Sequence, residues 1–344
     1  MRLFKNIALI LLTLAGFECL VGCGKDNIDG GGTIKVKVRT AGNTKASGVI
    51  NEDGSATQDC LAAYIVNLQA EGFIMDAQIA SDAHDNSTGA VIPAGKYFRD
   101  EVGYSGGWAT KTPQYWINNV DTHFWCWNKK AADHGLSITE TDVPGSDVRS
   151  FSFSVPTASN RGDVILACSK EKWTESDGDG KLVNLTFYHP LSHICFSLKD
   201  DFSSEFTIKQ ISLKNVKTEG DFTFTRPSTF TWNIQPSETD VVESDLNVTK
   251  SNGAIEAVHF YMVPQDLISE NTILSITFDY DGNPVTRDAY LYVGSVPATH
   301  QWNAGTYYRY KIGAASLSPI GFSVSLEDWA PVSGGEINPN APTS

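Results

Sequence analysis

From residue 33 to 39 the chain alternates without a break. Ile34, Val36 and Val38 face one way, and Lys35, Lys37 and Arg39 the other. Successive side chains of an extended backbone lie on opposite faces, so this stretch predicts a half-buried strand. The pattern recurs at Phe151, Phe153 and Val155, at Val183, Leu185 and Phe187, and at Ile194, Phe196 and Leu198. Residues 120–127 and 164–167 are apolar on both parities and predict fully buried strands. Further strands are predicted over 206–216, 221–225, 257–263, 272–280, 289–293, 307–312 and 322–325. The apolar parity shifts around His189-Pro190, where a bend or bulge is expected because proline cannot donate to a ladder.

Between these elements, residues 40–58, 81–89 and 103–111 read as loops, and Asp281-Gly282-Asn283-Pro284 as a hairpin turn. The apolar segment 61–79 is broken by Glu71-Gly72. It predicts two strands joined by a turn, with Tyr64, Val66 and Leu68 on one face, while a helix over 57–68 competes. No stretch sustains a helical period. Short strands separated by turns indicate an all-β protein built of β-sandwiches. The length exceeds what one core usually serves, and Ser176-Asp177-Gly178-Asp179-Gly180 is turn chemistry. Two domains are therefore expected, 33–178 and 179–344.

The N-terminus has a different character. Arg2 and Lys5 precede an apolar run over 7–17, then Leu20-Val21-Gly22-Cys23. A cationic start, a short apolar core and a small residue describe a signal peptide over 1–22, too short to span a bilayer. Leu-Val-Gly-Cys resembles the lipobox of bacterial lipoproteins, in which the cysteine thiol is acylated, with palmitate for example. That resemblance makes Cys23 the lipidation site, since two or more chains give stable anchoring. Cys19 follows Phe17-Glu18 and lacks the small residues the site requires. Residues 23–32 form a polar, glycine-rich tether.

A formal charge of −14 argues against nucleic acid and anionic membrane patches as partners. Hydrophobic content of 41%, with 11% aromatic, suffices for packed cores. Cys60, Cys126, Cys168 and Cys195 are far apart, and none has metal-site spacing. Buried free thiols are the favoured reading, and three disulfide pairings remain open.

Five local patterns invite chemistry. Gly103-Tyr104-Ser105-Gly106-Gly107 matches a nucleophile elbow but lacks a following helix. His189 and His193 have helical ligand spacing on a strand pattern, so no zinc pair is expected. Arg161-Gly162-Asp163 has the form of an integrin-type tripeptide but leads straight into a strand. Asp177-Gly178-Asp179-Gly180 lacks the bidentate Glu of a calcium loop, Tyr188 standing in its place. Among the tryptophans, Trp108 and Trp173 sit in predicted loops and are the candidates for stacking on sugars; Trp116, Trp125 and Trp127 read as core. No catalytic residues, cofactor or metal are expected.

The strands also carry a resemblance. Arg161-Gly162-Asp163-Val164-Ile165-Leu166-Ala167, followed by Val183-Asn184-Leu185-Thr186-Phe187-Tyr188-His189-Pro190-Leu191-Ser192-His193-Ile194, resembles the fimbrillin family of Bacteroidales lipoproteins. Pro113-Gln114-Tyr115-Trp116, Ile211 to Val216, Gly220-Asp221-Phe222, Phe260 to Gln265, and Trp302 to Tyr310 keep the family's order. The resemblance implies two transthyretin-like β-sandwich domains in tandem and a subunit of a type V pilus. In that family the lipid-anchored precursor reaches the outer membrane and cell surface. A protease with Arg/Lys preference then removes the first strand, and a neighbour's strand fills the groove.

Carried onto this chain, the removable strand is 33–39, with Ile34, Val36 and Val38 filling the groove. The cut follows Arg39, or Lys45, which stands where the family's site has Arg. The donor lies in 320–329, where Phe322, Val324 and Leu326 alternate. Partners are then other pilus subunits, the outer membrane through lipid, and a host or bacterial surface receptor. The alternative is a lipid-anchored surface glycan-binding protein.

Overall fold

The computed structural model describes residues 32–40, 66–84, 90–139, 143–198, 202–250, 258–268, 271–292, 300–313 and 321–328. The strands of the first half are β1 (Lys35–Thr40), β2 (Phe73–Ile79), β3 (Ala83–His84), β4 (Val91–Ile92), β5 (Gly95–Tyr104), β6 (Trp108–Thr110), β7 (Asp121–Asn128), β8 (Leu136–Ile138), β9 (Val148–Ser154), β10 (Leu166–Lys172) and β11 (Leu182–Tyr188). There follow β12 (Ser192–Leu198), β13 (Phe206–Lys217), β14 (Glu219–Thr225), β15 (Thr229–Ile234), β16 (Glu238–Glu243), β17 (Val248–Thr249), β18 (Val258–Met262), β19 (Gln265–Asp266), β20 (Ile273–Tyr280), β21 (Asn283–Tyr290), β22 (Gln301–Trp302), β23 (Thr306–Gly313) and β24 (Gly321–Asp328). The all-β class expected from alternation is what forms.

Among the described residues, seven strands close into a barrel in the order β1-β11-β10-β7-β2-β5-β6. Its inner face carries Phe73, Met75, Ala77, Phe124, Cys126, Val183 and Leu185, all buried. A sheet in the order β15-β14-β9-β8 shares this first core through Phe151, Phe153, Phe222 and Phe224. An ion pair joins the two layers. Asp76 of β2, almost fully buried, receives Arg99 of β5 and, at 2.8 Å, Arg149 of β9. Both guanidinium groups lie over the Trp127 ring, at 5.4 and 5.8 Å.

The second half is a sandwich. The sheet β18-β12-β23-β24 faces the sheet containing β16-β13-β20-β21, and Ile194, Phe196, Phe260, Tyr308 and Tyr310 meet Ile211, Leu213, Leu274 and Ile276 between them. The opposite face of β12, β18 and β23 presents Cys195, Tyr261 and Tyr307 to the first core. This sheet is therefore covered on both sides, which explains why β12 is buried on both parities.

Several expectations need correction. Residues 103–111 are not a loop: β5 and β6 form a hairpin around a turn at 105–107, with Ser105 N–H donating to Gly107 O. Before Phe73 stands a helical turn, Leu68–Glu71, instead of a strand; the Asn67 side chain caps it by accepting from Ala70 N–H. The parity shift at His189-Pro190 marks where the chain leaves the barrel for the sandwich, not a bulge within one strand. The Asp281-Gly282 turn forms as expected. Both residues have positive φ, 51° and 77°, between the paired Tyr280 and Asn283.

The division expected at 178/179 falls between β10 and β11, which are paired neighbours in the barrel. The β14–β15 hairpin, well past that point, pairs with β9. Strand pairing thus runs across the expected boundary.

Candidate functional site

The first strand occupies a seam in the barrel. β1 runs parallel to β11, with Val36 opposite Val183 and Val38 opposite Leu185. On its other side it meets β6 antiparallel, with Val36 opposite Trp108. At its start Thr33 bridges Tyr115, Ile34 N–H donates to Gln114 O at 2.8 Å, and Lys35 Nζ donates to Asp179 O at 3.1 Å. The strand is the barrel's closing element.

Its alternation determines what it fills. Ile34, Val36 and Val38 are 2%, 7% and 0% exposed and belong to the first core. Burial of three such side chains contributes about 5 to 9 kcal/mol on transfer data, an upper figure. Whole domains are stable by only ~5–15 kcal/mol. Loss of β1 without replacement would expose an apolar slot and leave the facing edges of β11 and β6 unpaired.

The expected cleavage points differ in setting. Arg39 pairs with Thr186 and Thr40 with Phe187, so the bond between them lies inside the ladder. Lys45, Cys60 and the lipidation candidate Cys23 lie outside the described residues. In the expected donor segment, Phe322, Val324 and Leu326 stand in β24, opposite Ile312, Tyr310 and Tyr308 of the same chain's β23. β24 is thus an edge strand of its own sandwich.

The other singled-out residues have structural places. Asp163 and His189 form a buried pair, Nδ1 lying 3.2 Å from Oδ1 and 3.0 Å from Oδ2. Burial raises the Asp163 carboxyl above its ordinary range, opposed by His189. His193 turns elsewhere: its Nε2 is 2.7 Å from Nδ1 of His259, and its ring stacks on Tyr261. The two histidines do not form a pair, and among the described residues no group of ligands could hold a metal.

Arg161 is not displayed for a receptor. It bonds Glu243 and the Val242 carbonyl, each at 2.9 Å, and lies over the Phe260 ring. At Gly162 a Cβ would stand 2.4 Å from the His134 ring, so a side chain there would displace that ring. Asp177 closes a capping box with Thr174 in the 3-10 segment Glu175–Gly180. Trp108 and Trp173 are 8% and 3% exposed, so neither offers a stacking face. An exposed aromatic packed against Trp108 is Tyr104, which the sequence reading considered only within the nucleophile-elbow pattern.

Cys126 lies on the barrel's inner face opposite Met75 and Ala167, whereas Cys168 stands one register on, opposite Trp125. Adjacent strand positions point to opposite faces, so these two thiols cannot meet. Cys126, Cys168 and Cys195 are thiols outside any disulfide.

These features describe an all-β chain whose buried first strand closes a barrel, followed by a sandwich with an edge strand, β24. The chain belongs to the fimbrillin-like family, whose sequence profile matches residues 74–329. No curated protein sequence matches it significantly. Among solved structures it is similar to a candidate cell adhesion protein from Bacteroides uniformis, at 13% identity and a TM-score of 0.50, covering 87% of this chain and 98% of that one. It is also similar to the tip fimbrial protein Mfa3 from Porphyromonas gingivalis with C-terminal truncation, at 10% identity and a TM-score of 0.41, over 87% and 100% of the two chains.

Proposed function

We propose that this protein is a non-enzymatic structural subunit or tip adhesin of a cell-surface type V pilus, made as a lipid-anchored precursor and assembled by strand exchange. Membership in the fimbrillin-like family supports the fimbrial role. The observation that carries the assembly step is the seating of Ile34, Val36 and Val38 in the seam between β11 and β6. A protease removes that strand, and a donated strand from a neighbouring subunit satisfies the apolar slot and both edges together. The 320–329 segment, whose β24 is an edge strand with alternating Phe322, Val324 and Leu326, is the donor. Lipid on Cys23 holds the precursor at the outer membrane until the cut.

Both residues flanking the Arg39–Thr40 bond are paired in the ladder, which disfavours that bond because proteases take extended, unpaired backbone, and the proposed cut is therefore the other candidate, Lys45–Ala46. The test is N-terminal sequencing of surface-shed polymer from cells carrying Arg39→Ala, Lys45→Ala or both. Polymer beginning at Ala46, abolished by Lys45→Ala and retained by Arg39→Ala, is the expected result. Normal polymer from the double variant would refute cleavage-driven assembly.

A further inference from the structure

An open cleft of about 470 Å³ lies along the β5–β6 hairpin, walled by the Leu68–Glu71 turn and by Lys129. The Gly103-Tyr104-Ser105-Gly106-Gly107 pattern falls on it as part of that hairpin, and β1 does not line it. Its floor is bare backbone. Cβ atoms added at Gly103 or Gly107 would meet nothing within 4 Å, so the missing side chains are what keep the trough open.

Its charged groups are balanced. Glu101 stands between Lys129, at 3.0 Å, and Lys111, at 4.0 Å. Glu71 Oε1 receives Lys130 N–H at 2.7 Å and Asn128 Nδ2 at 3.3 Å. Two carboxylates and two ammonium groups leave the cleft without net charge, unlike the acidic chain around it. At the rim, Tyr104 is 36% exposed and held edge-on against Trp108 at 5.1 Å.

We infer that this cleft is a binding site for a neutral saccharide. A hydroxyl donates and accepts at once, which suits a site where oriented carboxylate oxygens stand beside ammonium donors. The Tyr104 ring offers an apolar face with a polar tip to a sugar ring, and an open, glycine-floored trough admits a branched chain. A peptide is the poorer occupant. Pairing of β5 with β2 ends at Val102, so only the short stretch Gly103–Tyr104 presents an edge to the cleft, too little for strand addition by a peptide. The charge balance gives no handle for an anion or a cation. This inference is independent of polymerisation.

The test is calorimetric titration of the purified full chain with maltohexaose, cellohexaose and lacto-N-tetraose. At least one should bind with a Kd of roughly 0.1 to 1 mM, changed less than about twofold by 0.5 M NaCl. Tyr104→Ala and Gly103→Leu should each weaken it about tenfold or more, and Lys129→Ala about threefold. Tyr290→Ala, at an exposed tyrosine on β21, should leave it unchanged. Melting temperatures of the variants separate loss of binding from loss of fold, and Lys129→Ala alters only a half-exposed side chain. The inference is overturned if none of the three sugars binds below about 10 mM, or if folded Tyr104→Ala and Gly103→Leu bind as the parent does.

Discussion

Nδ1 of His189 lies 3.0 Å from the Asp163 carboxylate, joining the lead-in to β10 to the end of β11 at the point where the chain leaves the barrel. Asn128 supports the same corner, donating from Nδ2 to Asp163 O and accepting Ile165 N–H at Oδ1. Asp163 and His189 are among the residues that carry the family resemblance, and their meeting gives that pattern a physical basis. Removing one member leaves a buried polar group without its partner.

Asp163→Ala should therefore lower stability by about 3 to 5 kcal/mol in urea titration. The double variant Asp163→Ala/His189→Ala should be less unstable than the two single losses added together. Strict additivity would mean the pair is not coupled.

Val38 is the most deeply buried side chain of the first strand. Val38→Asp should place an unpaired carboxylate in the seam and cost roughly 3 kcal/mol or more. Hydrogen exchange should rise first in β11 and β6, whose partner is lost. Uniform exchange across both halves would count against a local seam.

Acid should destabilise the fold through His193. Burial is the main cause holding its pKa well below 6.5, aided by His259, His189 and Arg309. Cys195, Tyr261 and Tyr307 also face it. The folded ring stays neutral while the unfolded chain takes up a proton near ~6.5. Stability from this group is thus complete above about pH 6.5 and is lost as the pH falls below it, by up to ~1.4 kcal/mol per unit. His123, also lowered by burial, acts in the same direction. Asp163, with its carboxyl raised, acts in the opposite one. Melting temperatures between pH 7.5 and 5.5 should fall less steeply for His193→Gln; equal slopes would remove His193 from the account.

The three described cysteines should be inert. Burial pushes the Cys168 thiol up to about 12 and the Cys126 thiol well above its ordinary value, and Cys195 is fully buried. Iodoacetamide followed by mass spectrometry should label none of the three without denaturant. Rapid labelling of Cys126 would place it outside the core.

Strands with apolar alternation or aromatic runs were legible in the sequence, because side-chain parity reports a buried face directly. β15 and β16 were not. In β15, Phe230, Trp232 and Ile234 do alternate with polar residues but are only half-buried, and the stretch is absent from the predicted strands; in β16, half of Glu238 to Glu243 is acidic, so it does not stand out as apolar. The β5–β6 hairpin was hidden by its glycines, and with it the cleft along it. The seam was legible as a strand, but its parallel pairing with β11, across more than 140 positions, left no local trace. The tryptophans misled for the opposite reason: position in an apparent loop said nothing of Trp108 packing against Phe73 at 5.3 Å.

The return of the β14–β15 hairpin onto β9 also sets a timetable. Phe222 and Phe224 complete the first core, yet they come after β12 and β13 of the sandwich. As the chain emerges N-terminus first, the barrel's outer layer stays unfinished until Ile234 has been delivered. The two halves must mature together, and the closing strand at the front of the chain waits on residues nearly two hundred positions behind it.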